Sequence, residues 1–211
     1  MKKRRKLKKK VVVLIVLIII LFVILTAGII VYVKAHNPKE APMETKVVDK
    51  IEEYGYVLEN NKTDLYKDLF DELVKILNED PIKEEEYAKI ISKMAVSDFY
   101  NLDNKTSKND IGGVQFIREK NRKNFVLQAS ETVYKYVEQN LDGKRKQTLP
   151  IVTKVETTSI KKGKYSYKNI KDDSAYTVVV KLEYKKDLGY PKQVTVKLLH
   201  NDKKLEIYYM K

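Results

Sequence analysis

Few side chains in this chain are equipped for covalent or metal chemistry. There are two histidines, His36 and His200, and no cysteine, so thiolate nucleophiles, thiolate metal sites and disulfides are all excluded. The patterns Gly-x-Ser-x-Gly, His-Glu-x-x-His and Cys-x-x-Cys are missing, which removes the commonest signatures of serine hydrolases and zinc enzymes. His200 follows Val194, Val196 and Leu198 in strand phase, at the end of an apolar face, where it closes a strand. As the one histidine outside the N-terminal region it is a weak candidate for a pocket site, and a triad is hard to assemble around it. Asp98, Asp103 and Asp110 cluster with Asn101, Asn104 and Asn109 in what the composition predicts to be a loop of oxygen-bearing side chains. Calcium takes such ligands, but the D-x-[DN]-x-[DN]-G spacing is absent. No metal or cofactor is expected. Gly112-Gly113 in the same stretch lacks the P-loop lysine and predicts a turn.

Charge is distributed unevenly. The net charge is +13. Residues 1–10 hold eight cations and no acid; residues 11–140 hold 17 basic and 21 acidic side chains; residues 141–211 hold 17 basic and eight acidic. The C-terminal part is therefore strongly basic. Lys161, Lys162 and Lys164 stand at its centre as a candidate contact surface for an envelope protein, an anionic envelope polymer or a lipid headgroup. No RNP-like or helix-turn-helix signature points to nucleic acid.

What positions these residues begins with "KKRRKLKKKVVVLIVLIIILFVILTAGIIVYVK". Residues 11–33 carry no charge, and as a helix rising about 1.5 Å per residue they span roughly 35 Å, enough for a bilayer core about 30 Å thick. A signal peptide has a shorter apolar core and a small-x-small exit; here the exit is Tyr32-Val33-Lys34-Ala35-His36. The expectation is an uncleaved transmembrane helix at 11–33 that meets the lipid bilayer directly. The basic leader 1–10 is then cytoplasmic by the positive-inside rule and the C-terminal domain lies outside. Pro38 and Pro42 make 34–44 a linker, and 45–211 a single domain.

Within that domain, helical spacing appears at Val47, Val48, Ile51, Tyr54 and Leu58; at Leu65 to Leu77; from Asp80-Pro81 through Ala95; and from about Arg122 to Leu141, presenting Phe125, Val133, Tyr136 and Val137 and stopped by Gly143. After Gly143 the period becomes two, with Val178, Val180, Leu182 and Tyr184, then Val194, Val196 and Leu198 on one face. Turns are expected at Lys162-Gly163, Asp172-Asp173, Leu188 to Pro191 and Asn201-Asp202. The fold class is α+β: about four helices, then a curved antiparallel sheet of about four strands.

That order resembles the cystatin-like and nuclear-transport-factor-two-like folds, and the stretch Asp98 to Phe116, "DFYNLDNKTSKNDIGGVQF", resembles a segment of bitopic proteins of Gram-positive bacteria. Behind one membrane span, the architecture is similar to the scaffold subunits of conjugation and type IV secretion machines. The resemblance implies a non-catalytic assembly module; the rival expectation is a pocket protein or hydrolase using the cavity of the curved sheet.

Overall fold

The computed structural model describes residues 18–29 and 46–211. The chain divides into two units, Met1–Ala41 and Pro42–Lys211. In the first, 18–29 is helical, and Ile18 to Leu25 expose eight consecutive large apolar side chains. Among the described residues no helix is long and apolar enough to cross a membrane; the leader 1–10, both ends of the expected span 11–33 and all of the linker 34–44 lie outside them.

The second unit is α+β. It opens with an antiparallel hairpin, β1 (Val47–Ile51) and β2 (Tyr56–Glu59), where helical spacing predicts a helix. Ile51, Tyr54 and Leu58 satisfy a helical repeat, but Tyr54, Tyr56 and Leu58 satisfy a repeat of two as well, and all three of the latter are buried. Gly55, at φ +63°, turns the chain between the strands, and Gly inside a helix costs about 1 kcal/mol against Ala. Gln115 finishes the hairpin: its side-chain amide accepts from Val57 N at 2.9 Å and donates to Val57 O at 3.1 Å, standing in for a third strand.

Helix α1 (Asp64–Leu77) begins where Thr63 caps it, the hydroxyl accepting from Tyr66 N. Its stripe of Tyr66, Leu69, Phe70, Leu73 and Ile76 is buried, as the spacing predicts. Helix α2 (Glu84–Tyr100) starts three residues beyond the expected Pro81, so that Glu84, Glu85 and Glu86 occupy its first turn, where the helix dipole favours negative charge. Nearly the whole circumference of its second half is buried, because α1 covers one side and the sheet the other. A 3₁₀ turn, Val114–Phe116, leads into α3 (Glu119–Glu131). This helix ends about ten residues before the expected Leu141. The Thr132 hydroxyl takes the Gln128 carbonyl at 2.6 Å, and the next turns carry Tyr134 into the core, its hydroxyl donating to Phe99 O at 2.6 Å. Tyr136, expected inward, is exposed.

The sheet runs in the order β3-β4-β5-β6, all antiparallel: β3 (Val152–Tyr167), β4 (Ile170–Tyr184), β5 (Gln193–Asn201) and β6 (Lys204–Met210). Val178, Val180, Leu182, Val194, Val196 and Leu198 bury one face, and α2 touches all four strands. The turns at Leu188 to Pro191 and beside Asn201 stand as expected. Lys162-Gly163 and Asp172-Asp173 are not turns but strand interior. Gly163 adjoins an irregularity in the β3–β4 register, one of the uses of a strand glycine; Asp172 is held by hydrogen bonds. The actual turn lies at Lys168-Asn169, with Lys168 at φ +50°.

Candidate functional site

The only histidine among the described residues gathers partners that local sequence does not announce. His200, late in β5, has Nδ1 3.0 Å from Asp172 Oδ2 and Nε2 3.4 Å from Glu84 Oε1. Its backbone N–H donates to the same Asp172 oxygen at 2.7 Å. Ser174 N donates to the other carboxylate oxygen at 2.9 Å, a local Asx turn that fixes Asp172 within β4. Glu84, at the first turn of α2, also accepts from Tyr176 Oη at 2.9 Å and Lys162 Nζ at 3.1 Å. Lys162 lies over the Tyr176 ring, 5.2 Å from its centroid. An open depression of about 560 Å³ adjoins this group, lined by Ile82, Glu84, Glu86, Lys162 and Tyr176 among others. The expectation of an isolated strand-end histidine is therefore corrected: a carboxylate–histidine–carboxylate set ties the start of α2 to the sheet.

Its geometry suits a clamp better than a catalyst. In a Ser-His-Asp triad the serine and the acid sit on opposite ring nitrogens; here Ser174 Oγ lies 3.4 Å from Nδ1, the nitrogen that Asp172 already holds. The two carboxylates, being on opposite edges of the ring, cannot converge on one metal ion. The surrounding groups are locked in their ordinary charge states. Partial burial works against ionisation of Glu84, but Lys162 and Tyr176 more than offset it and hold the carboxyl below its usual range. Burial likewise opposes ionisation of Asp172, and the backbone N–H groups of His200 and Ser174 outweigh it. The Tyr176 hydroxyl and the Glu84 carboxylate push Lys162 up to about 12. Catalytic acids, bases and nucleophiles are tuned the other way, toward working pH.

The three aspartates do not form one loop site. Asp98 belongs to α2 and is buried. It bonds Lys105 Nζ at 2.6 Å, Lys62 Nζ at 3.0 Å and Gly113 N at 2.8 Å, while Lys62 reaches Glu59 at 3.2 Å. Burial alone would raise the Asp98 carboxyl; Lys105 and Lys62 overcome that and hold it far below the usual carboxylate range. Gly112-Gly113 packs this loop onto α2: a Cβ on Gly112 would lie 2.1 Å from Asp98 O. Asp103 is exposed and is held through its backbone, its carbonyl accepting from Arg145 at 2.6 Å and its N–H donating to Pro150 O at 3.3 Å. Asp110 closes its own loop, accepting from Thr106 N at 2.9 Å. Among the described residues no group of three or more His, Asp or Glu could hold a metal ion.

Lys161, Lys162 and Lys164 all lie on β3, an edge strand of 16 residues. Lys162 is engaged by Glu84, whereas Lys164 has only a loose, highly exposed pairing with Asp173 at 3.7 Å. Lys161 is exposed, with no carboxylate within ion-pair distance among the described residues. No family model matches this chain, and neither a curated protein nor a solved structure matches it.

Proposed function

We propose that the chain is a single-pass, membrane-anchored contact module of a bacterial cell envelope, with residues 46–211 displayed outside the membrane and working by binding or assembly. The observation that carries the contact reading is β3. It is a 16-residue edge strand with no strand on its outer side among the described residues. Toward the tip of its hairpin β3 presents Lys161, Lys162 and Lys164, and Lys168 in the turn and Lys171 at the start of β4 extend the basic run, with no acid between 161 and 171 in the sequence. Such an edge repels copies of itself and recruits a partner of opposite charge. The anchor is supported by the uncharged run 11–33 behind eight cations and by the contiguous exposed apolar side chains of 18–29, which exceed what a solvated surface ordinarily carries. A place in a conjugation-type machine fits the same layout.

The test uses charge reversal at Lys161 and at Lys164, whose one ion pair, with Asp173 at 3.7 Å, is loose and highly exposed. Lys161→Glu with Lys164→Glu should weaken association of the full chain with its envelope partner and flatten the salt dependence, since exposed charges are screened over about 8 Å at physiological ionic strength. Unchanged association would remove β3 from the interface. If His200→Ala abolishes cellular function while folding and association persist, the pocket-enzyme reading takes over.

A further inference from the structure

Register places Lys161 opposite Thr177, and Thr177 opposite Lys197. The three therefore form a row across β3, β4 and β5. Because successive side chains alternate, the row lies on the face away from α2, where Tyr176, Val178, Val196 and Leu198 point inward. At about 4.8 Å per strand the two lysine backbones stand roughly 10 Å apart with the Thr177 hydroxyl between them.

This face is drawn in rather than flat. The ring of Tyr165 on β3 lies 5.1 Å from that of Tyr208 on β6, although β4 and β5 intervene and three strand spacings amount to about 14 Å. Lys197 reaches over the Tyr165 ring at 5.3 Å. Ala175 and Leu199 are buried yet stand outside the main core cluster. The result is a small pocket of about 80 Å³ whose lining includes Lys161, Gly163, Lys164, Tyr165, Thr177 and Lys197. Small-molecule pockets usually measure about 300–1,000 Å³, so this one accommodates a single compact group of a larger ligand.

Charge identifies the group. Four lysines line the pocket, Lys162 among them, and two carboxylates answer them: Glu84 on Lys162, and the exposed Asp173 on Lys164. Lys161 and Lys197 have no carboxylate within ion-pair distance among the described residues, leaving two positive charges flanking a hydroxyl donor. A carboxylate, with one charge, would leave one ammonium uncompensated. A phosphate group brings between one and two charges and several acceptor oxygens to the same point. We propose that Lys161, Thr177 and Lys197 form a binding site for a phosphate group. The inference rests on the contact reading above and names what part of that surface takes.

The test titrates the full chain, in neutral detergent and chloride buffer, with inorganic phosphate and pyrophosphate by calorimetry. In a parallel arm it is incubated with vesicles of phosphatidylcholine alone or with added phosphatidylglycerol. Wild type should bind a phosphate form in at least one arm. Lys161→Gln with Lys197→Gln should weaken that binding at least ten-fold, and Thr177→Val several-fold, while the distant Lys123→Gln leaves it unchanged. Binding in the first arm identifies free phosphate groups as the source; binding only to phosphatidylglycerol vesicles, lost in the double variant, identifies a lipid headgroup. Phosphate binding that survives the double variant, or no binding in either arm, overturns the proposal. In that event partner association that still falls on charge reversal at Lys161 and Lys164 keeps the contact reading standing without the phosphate site.

Discussion

Asp98→Asn tests the interior of the domain most severely. The substitution preserves size and one acceptor but removes the charge that Lys105 and Lys62 share. The side chains of Asp98, Lys105 and Lys62 are 5%, 2% and 10% exposed, so water cannot replace the carboxylate. Lys62 retains Glu59 at 3.2 Å; Lys105 has no second carboxylate among the described residues and becomes an uncompensated buried cation. Breaking a buried pair in this way costs about 3–5 kcal/mol. For a domain of this size each kcal/mol moves the melting temperature by about 2–4 °C, so the expected fall is roughly 6–20 °C. Urea and thermal unfolding of the full chain, followed by circular dichroism, measure it. Lys105→Met added to Asp98→Asn removes the orphan cation and should recover part of the loss. A single-variant cost below about 1 kcal/mol, or a double variant as unstable as the sum of the two single losses, would refute the reasoning.

Acidification probes the same charges. Asp98, Asp172 and Glu84 all have folded-state pKa values lowered from their ordinary ones. Their stabilisation is present above the unfolded-state values of about 4 and is lost as pH falls from there through the folded values; urea midpoints should drop steeply below pH 4, and less steeply in Asp98→Asn. Gly112→Ala should destabilise by about 3 kcal/mol or more because its Cβ meets backbone, whereas Gly163→Ala, with nothing within 4 Å, should stay within about 0.5 kcal/mol by the same unfolding measurement. His200→Ala, which removes a partly exposed bridge between Asp172 and Glu84, should cost about 1 kcal/mol and leave partner association intact in a pull-down.

How much of this was legible in the sequence depends on the range of the interactions. The α1 stripe and the alternation of β4 and β5 were legible because each buries a single face, and a single face writes its period into the chain. The β1–β2 hairpin was not, because Tyr54 and Leu58 serve both periods; Gly55 and the β-branched Val47, Val48 and Val57 were the signals against a helix. The end of α3 was hidden for a related reason: Val133 and Val137 continue the helical spacing, yet both pack from turns and irregular chain beyond the last hydrogen-bonded turn. The partners of His200 are remote, with Asp172 at a separation of 28 residues, and Tyr176 meets Glu84 across 92. No local pattern encodes such pairs. The asparagines after Asp98 suggest a loop there, whereas the apolar run Ile90, Ile91, Met94 and Ala95, continued to Phe99, carries α2 through it.

The contact reading is tested most directly by photocrosslinking in cells, with a crosslinkable residue placed singly along the outer edge of β3, at Lys161, Lys164 and Tyr167, and at Asp71 on the exposed side of α1. The account predicts adducts to one discrete envelope partner from the β3 positions, weakened by raised salt, and none from Asp71. Adducts from Asp71 alone, or none from any β3 position in cells where the protein is functional, would contradict it.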